Sequence, residues 1–274
     1  MKLVRCLLPI NQDGTTDACA AIAFALAKRF RIEVQVLHCA TPPAFSPVLP
    51  SLDPLASNSL REIELGRKQV SWERRHAKAW WKKITKSFPK VTSTFASPEG
   101  SAGTLAAKFA RFADLTIVPS VSQANESFWS EVRNGALLSS GRPMLVVPPD
   151  AERYGRDTIV VAWKDRPETV RALVAAAPFL AKAKLVRMIS VTEPDQDKSS
   201  LIEITHYLNR AGIAAKATTV PESSAIGEIL VAESAKTAML VMGGSGRSQL
   251  SEWAFGGASN YVLSSTTVPT LMMH

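Results

Sequence analysis

The chain has 274 residues, 46% of them hydrophobic, and a formal charge of +8. That composition supplies one large core or two modest ones and excludes a disordered or fibrous chain. No apolar run approaches the ~20 residues that a membrane-crossing helix needs, and a positive total alone does not separate nucleic acid or anionic membranes from a generally basic surface.

The opening MKLVRCLLPINQDG runs into Asn, Gln and Asp without a small-residue cleavage site, so it reads as a strand and not as a signal peptide. Strand-like LVRCLLPI (3–10) precedes a helical pattern over 17–31, with Cys19, Ile22, Ala23, Leu26 and Phe30 on one face. IEVQVLHC (32–39), VTSTFA (91–96), DLTIVP (114–119) and PMLVVP (143–148) complete five expected strands, with a helix at 101–112. Their apolar density suits a parallel sheet covered on both faces. The insert 40–84 opens with a proline-rich irregular loop and continues as a helix. Leu60, Ile63, Val70, Ala77, Trp81 and Ile84 form its apolar stripe; Arg61, Arg67, Lys68, Arg74, Arg75, Lys78, Lys82 and Lys83 form its basic face. Such a helix is either packed with a solvated face or able to touch a nucleic acid, a membrane surface or an acidic partner. Trp72, Trp80 and Trp81 are partner anchors, caps on the sheet or the lining of a dimer seam.

The second half repeats the order. Strands are expected at 158–163, 184–191, 213–220, 238–242 and 267–273. Helices are expected at 167–183, with Pro178 disturbing its end, at 199–211, stopped by Gly212, at 224–235, and from about Gln249, or later near Gly256, to Leu263. PMLVVPP (143–149) and PTLMMH (269–274) each put Pro before a fifth strand, which marks a tandem repeat. The polar join at 149–157 divides a unit at 1–149 from one at 156–274. Cys6, Cys19 and Cys39 sit among apolar neighbours and read as reduced core residues of a cytosolic protein.

Chemistry concentrates in VMGGSGRSQLSEWAFGGASNYVL (241–263). Glycines directly after a parallel strand let backbone amides approach an anion, and a helix start beyond them adds its positive dipole end. The stretch is neither a Walker A loop, lacking GxxxxGK[ST], nor a GxGxxG fingerprint; it is a phosphate cradle or a tight turn. Glu228, Glu252 and the acidic loop of Glu193, Asp195 and Asp197 have no diagnostic spacing, and His38, His76, His206 and His274 are scattered. Ser245, Ser248 and Ser251 lack a nucleophile elbow and ordered partners and read as turn donors and caps. No Cys/His cluster points to zinc.

Two five-stranded units together with G243-x2-G246-x9-G256 resemble the tandem form of the universal stress protein (UspA-like) family over essentially the whole chain, including ASNYVL (258–263) and Pro269. The resemblance implies two Rossmann-like, adenine nucleotide alpha hydrolase-like units, each a five-stranded parallel sheet between helices. It implies a cytoplasmic, stress-associated binding or regulatory protein that pairs its two units about a pseudo-twofold axis. By the same likeness, ATP or a related adenine nucleotide lies in the C-terminal unit, with Mg2+ only as its companion. The implied surround is Ala162, Trp163 and Lys164 after the first strand, Val191 after the second, and Met242, Gly243, Gly246, Arg247, Ser248, Gly256, Gly257 and Ala258 around the fourth.

Two positions depart from that pattern. Lys164 stands near the place of a customary Asp and has no acceptor, and Gly257 stands where Ser or Thr is common. The first half departs further: its 119–135 lacks the paired glycines, and Pro119 removes an amide, although Asn11 and Asp13 keep its mouth polar. The alternatives are a nucleotide-independent interaction or structural protein and a weak ATPase. A further homodimer and an unidentified protein partner for the basic insert stay open.

Overall fold

A computed structural model describes residues 3–11, 16–40, 58–120, 126–151, 157–192, 198–244 and 256–274. The first half contributes β1 (Arg5–Ile10), α1 (Thr16–Phe30), β2 (Glu33–His38), α2 (Asn58–Ser87), β3 (Ser93–Ala96), α3 (Ala102–Ala110), β4 (Leu115–Pro119), α4 (Glu126–Leu138) and β5 (Met144–Val147). The second contributes β6 (Thr158–Ala162), α5 (Pro167–Leu180), β7 (Leu185–Thr192), α6 (Ser199–Arg210), β8 (Ala215–Pro221), α7 (Ile226–Ser234), β9 (Met239–Gly243), α8 (Gly257–Ser265) and β10 (Thr270–Met273).

The strands join in one 10-stranded sheet of order β3-β2-β1-β4-β5-β10-β9-β6-β7-β8. Each half is thus a parallel, doubly wound unit, and the last strands of both meet antiparallel, with Leu145 opposite Leu271. The repeated Pro-plus-apolar strands of the sequence are therefore the seam. Alternation along each strand sends its apolar side chains to two cores. Leu8, Val36, Ile117, Val161 and Val241 face α1, α2, α5 and α6, whereas Leu7, Val118, Val160, Leu240 and Met242 face α3, α4, α7 and α8.

The halves also touch beyond the seam. Phe30 of α1 meets Phe179 of α5 edge-on with ring centroids 5.1 Å apart, and the Lys182 ammonium lies 4.2 Å over the Phe30 ring. This is a cation–π contact.

Local sequence explains the helix ends. Pro167 takes the first position of α5, where its missing N–H costs nothing. Pro178 does not stop α5, which continues to Leu180; the carbonyl it leaves unpaired belongs to Val174, a residue 68% exposed to water. Gly212 closes the turn after α6 at φ +79°. α4 has no counterpart among the expected helices, because its Asn134 and Gly135 weaken the local signal. It owes its place to packing: a Cβ on Gly135 would lie 2.1 Å from the Gly103 carbonyl oxygen of α3.

Within the insert, Val70 and Ala77 are buried as expected, while the side chains of Leu60 and Ile63 lie outside the described residues. Trp81 donates to Ser93 Oγ (2.8 Å) and stacks on Phe95, and Trp80 donates to Asp17 Oδ1 (3.2 Å). Both are caps on the fold; Trp72 is 44% exposed. Cys6, Cys19 and Cys39 are buried and unbridged, and burial pushes the Cys6 and Cys39 thiols up to about 12. Among the described residues no helix is long and apolar enough to cross a membrane.

Candidate functional site

In the second half the strand order reverses between β6 and β9: the chain leaves β6 for β7 on one side, and β9 pairs on the other. Crevices at the carboxyl ends of such strands are the ligand positions of open α/β sheets. Ala162 closes β6 and Val191 lies near the end of β7, both half-buried against the core under α7 and α8. They put apolar carbon at the carboxyl ends of these strands.

Trp163 and Lys164 do not join Ala162 and Val191 there. Strand alternation turns the Trp163 side chain through the sheet into the core of α5 and α6. There it is 7% exposed and donates from Nε1 to Ser200 Oγ at 3.3 Å. Its backbone N–H donates to the Ile189 carbonyl at 2.6 Å. Lys164 and Asp165 are exposed beyond the strand end.

The glycines divide by role. Gly243 is set by packing: a Cβ there would lie 2.8 Å from the Thr169 nitrogen and 3.0 Å from Glu168 Cβ, at the start of α5. Gly244 spends its backbone on the C-terminus. Its N–H donates to the Met273 carbonyl (2.8 Å), and its carbonyl accepts from His274 Nδ1 (3.0 Å). Arg171 Nε donates to the His274 carbonyl at 3.0 Å and completes this clasp. Gly246, Arg247 and Ser248 lie outside the described residues, as do Ser245, Ser251 and Glu252.

Gly256 and Gly257 form a different environment. Gly256 is the N-cap of α8 in extended backbone, and its carbonyl accepts from the Asn260 amide at 3.0 Å. Among the described residues no side chain caps this helix, so its first-turn amides keep the unpaired hydrogens that every helix start presents. A Cβ on Gly257 would meet nothing within 4 Å. Ala258 and Tyr261 press against α7, where a Cβ on Gly227 would lie 3.1 Å from the Ala258 carbonyl oxygen and 2.8 Å from Tyr261 Cβ. Ser259, in the same first turn, is fully buried, and its Oγ has no hydrogen-bond partner among the described residues. A buried hydroxyl without a partner is costly, and sequence spacing had given Ser259 no role.

The corresponding place in the first half is filled from within. Arg133 of α4 is 2% exposed, donates from Nη1 to the Pro119 carbonyl at 3.3 Å, and pairs through Nη2 with Glu126. Burial pulls the guanidinium's pKa down, and Glu126 works against that pull. Trp129 of the same helix is fully buried. Asn11 is half-buried after β1, and Asp13 lies outside the described residues.

Among the remaining candidates, Glu228 and His206 are exposed on their helices, and Glu193, Asp195 and Asp197 lie outside the described residues. No cluster of His, Cys, Asp or Glu suited to a metal ion occurs among the described residues. His38 is 4% exposed, with Nδ1 2.9 Å from Ser97 Oγ. Arg74 donates to the same oxygen at 3.2 Å and pairs with Glu99 at 3.1 Å. Burial first, and the Arg74 charge second, lower the His38 pKa to about 4, so it is a neutral structural imidazole at neutral pH.

The sequence pattern of the universal stress protein family matches residues 155–274. The C-terminal half belongs to that family. The whole chain is similar in structure to a universal stress protein from Archaeoglobus fulgidus DSM 4304. That likeness has TM-score 0.78 and 16% identity and covers 98% of this chain and 95% of the other. It is also similar to a functionally unknown protein from Pseudomonas aeruginosa PAO1, with TM-score 0.58 and 15% identity, covering 99% of this chain and 92% of that one. These likenesses establish the fold, two α/β units in tandem over the whole chain, and nothing finer. No curated protein matches the chain.

Proposed function

We propose that this universal stress protein domain binds an adenine nucleotide, ATP first among them, in the crevice between β6 and β9, and that the chain acts as a stress-associated regulatory protein of the cytosol. The observation that carries this reading is the first turn of α8. Among the described residues, amides without a side-chain cap, open space at Gly257 and a Ser259 hydroxyl without a partner stand together there. That set fits phosphate oxygens, which accept from amides and hydroxyls and are favoured at a helix's positive end. The apolar surfaces of Ala162 and Val191 suit the adenosine portion.

Binding is favoured over turnover. Hydrolysis needs a positioned water and stabilisation of developing charge, whereas among the described residues Ala162, Val191, Gly256, Gly257, Ala258 and Ser259 offer amides, one hydroxyl and apolar carbon. Mg2+ enters this reading only as the companion of the nucleotide's phosphates. Nucleotide then biases a surface for a partner or a second copy of the chain. For the first unit, Arg133 and Trp129 favour an architectural role.

The test is to denature freshly purified protein and identify released small molecules by chromatography and mass. An adenine nucleotide at near one equivalent supports the reading. Preparations free of nucleotide that also fail to take up added ATP overturn it.

A further inference from the structure

We propose that the outward face of α2 docks the protein on an anionic phospholipid surface. α2 has 30 residues and lies over β2 and β3, at the far end of the sheet from β6–β8. Its inward stripe, with Val70, Ala77, Trp81 and Ile84, is spent on the core. The opposite face carries Arg67, Lys68, Arg75, Lys78, Lys82, Lys83 and Lys86, all exposed. Glu64 is the acid among them, and it is taken by Lys68 at 2.9 Å. Among the described residues Arg67, Arg75, Lys78, Lys82, Lys83 and Lys86 make no ion pair, and they extend over about 28 Å of helix axis at 1.5 Å per residue. A shallow hollow on this face is lined by Glu64, Arg67, Lys68, Ser71 and Arg75.

The second ingredient is apolar. Leu65, Trp72 and Ala79, seven residues apart, follow one line along the same face, and Leu65 and Trp72 are 57% and 44% exposed. Lys68, Arg75 and Lys82 form a parallel line beside them. His76 covers one face of the Trp72 indole at 3.8 Å between centroids, holding it along the helix surface. An exposed leucine and tryptophan set among cations is the chemistry of a lipid headgroup region: acyl carbon takes the apolar line, and anionic headgroups take the lysines and arginines. A nucleic acid would satisfy the charge but offers nothing to Leu65, and one covered indole is a poor stacking platform for successive bases. The lipid surface is the better complement.

Vesicle co-sedimentation of the full chain tests this, using phosphatidylcholine with and without one third phosphatidylglycerol at physiological ionic strength. Binding to the anionic vesicles is expected at least about tenfold above binding to neutral ones. The double substitutions Lys78→Glu/Lys82→Glu and Arg67→Glu/Arg75→Glu should each lower it by about tenfold or more. Trp72→Ala should lower it several-fold and leave a remainder that salt abolishes. These side chains are exposed, so native thermal melting of each variant is the control. Equal binding to both vesicle types, or charge-reversed variants that melt like wild type and bind like it, would overturn the proposal. So would displacement from the vesicles by a single-stranded oligonucleotide at equal phosphate.

Discussion

The Arg133 guanidinium donates to the Pro119 carbonyl at the end of β4 from a position 2% exposed to solvent. At the matching strand end of the second half stands Gly243. One unit has put its own cation where the other leaves backbone, so the two halves of a symmetric sheet are chemically unequal. Arg133→Ala removes the guanidinium that donates to a buried carbonyl and to the Glu126 carboxylate. It should cost about 2–4 kcal/mol in urea unfolding and leave ATP affinity unchanged.

Gly243 and Gly257 should respond in opposite ways. A Cβ at Gly243 meets the backbone of α5 at 2.8 Å, so Gly243→Ala should destabilise by about 1–3 kcal/mol through overpacking. Gly257 faces open space. Gly257→Ser should fold with unchanged or slightly higher stability and tighten ATP by roughly threefold to tenfold through one added hydrogen bond. Thermal melting and calorimetric titration of both variants check the pair.

Ser259 gives a crossed effect. Its hydroxyl is buried without a partner among the described residues, so Ser259→Ala should leave stability unchanged or raise it by up to about 1 kcal/mol. The same change should weaken ATP about threefold to tenfold if phosphate is the missing acceptor. A variant that loses stability and keeps its affinity would return Ser259 to the architecture.

His38 sets a pH dependence. Its pKa falls from 6.5 to about 4 in the fold, so between those values the unfolded chain binds the proton and the native state does not. Its contribution is complete above about pH 6.5 and is lost as pH falls towards 4, to a total of about 3 kcal/mol. Urea midpoints across that window should fall more steeply for wild type than for His38→Gln, whose amide still reaches for Ser97.

Regular, apolar strands and the repeated Pro-plus-strand ends made the tandem sheet legible in the sequence, because burial on both faces leaves near-continuous hydrophobic runs. The α4 helix was hidden because its stability rests on a Gly103–Gly135 contact between helices, which no local propensity encodes. At the site, the glycine spacing identified the segment but not the division of labour. Gly243 turned out to carry a packing contact and Gly244 the clasp to His274, while Gly257 alone of the three faces open space. Trp163 followed strand alternation into the opposite core. Ser259 is not legible in the sequence, because a serine's value there depends on which neighbours the fold places around its hydroxyl.

The proposed function places a single adenine-nucleotide site in the C-terminal unit, at the start of α8. Calorimetric titration of ATP into wild type and Gly256→Asp tests it most directly, since the added carboxylate opposes phosphate by charge and by volume. The expected result is one site per chain in wild type and at least about a tenfold loss in the variant, with its melting temperature retained. Two sites per chain, no binding to wild type, or equal affinity in both proteins would contradict it.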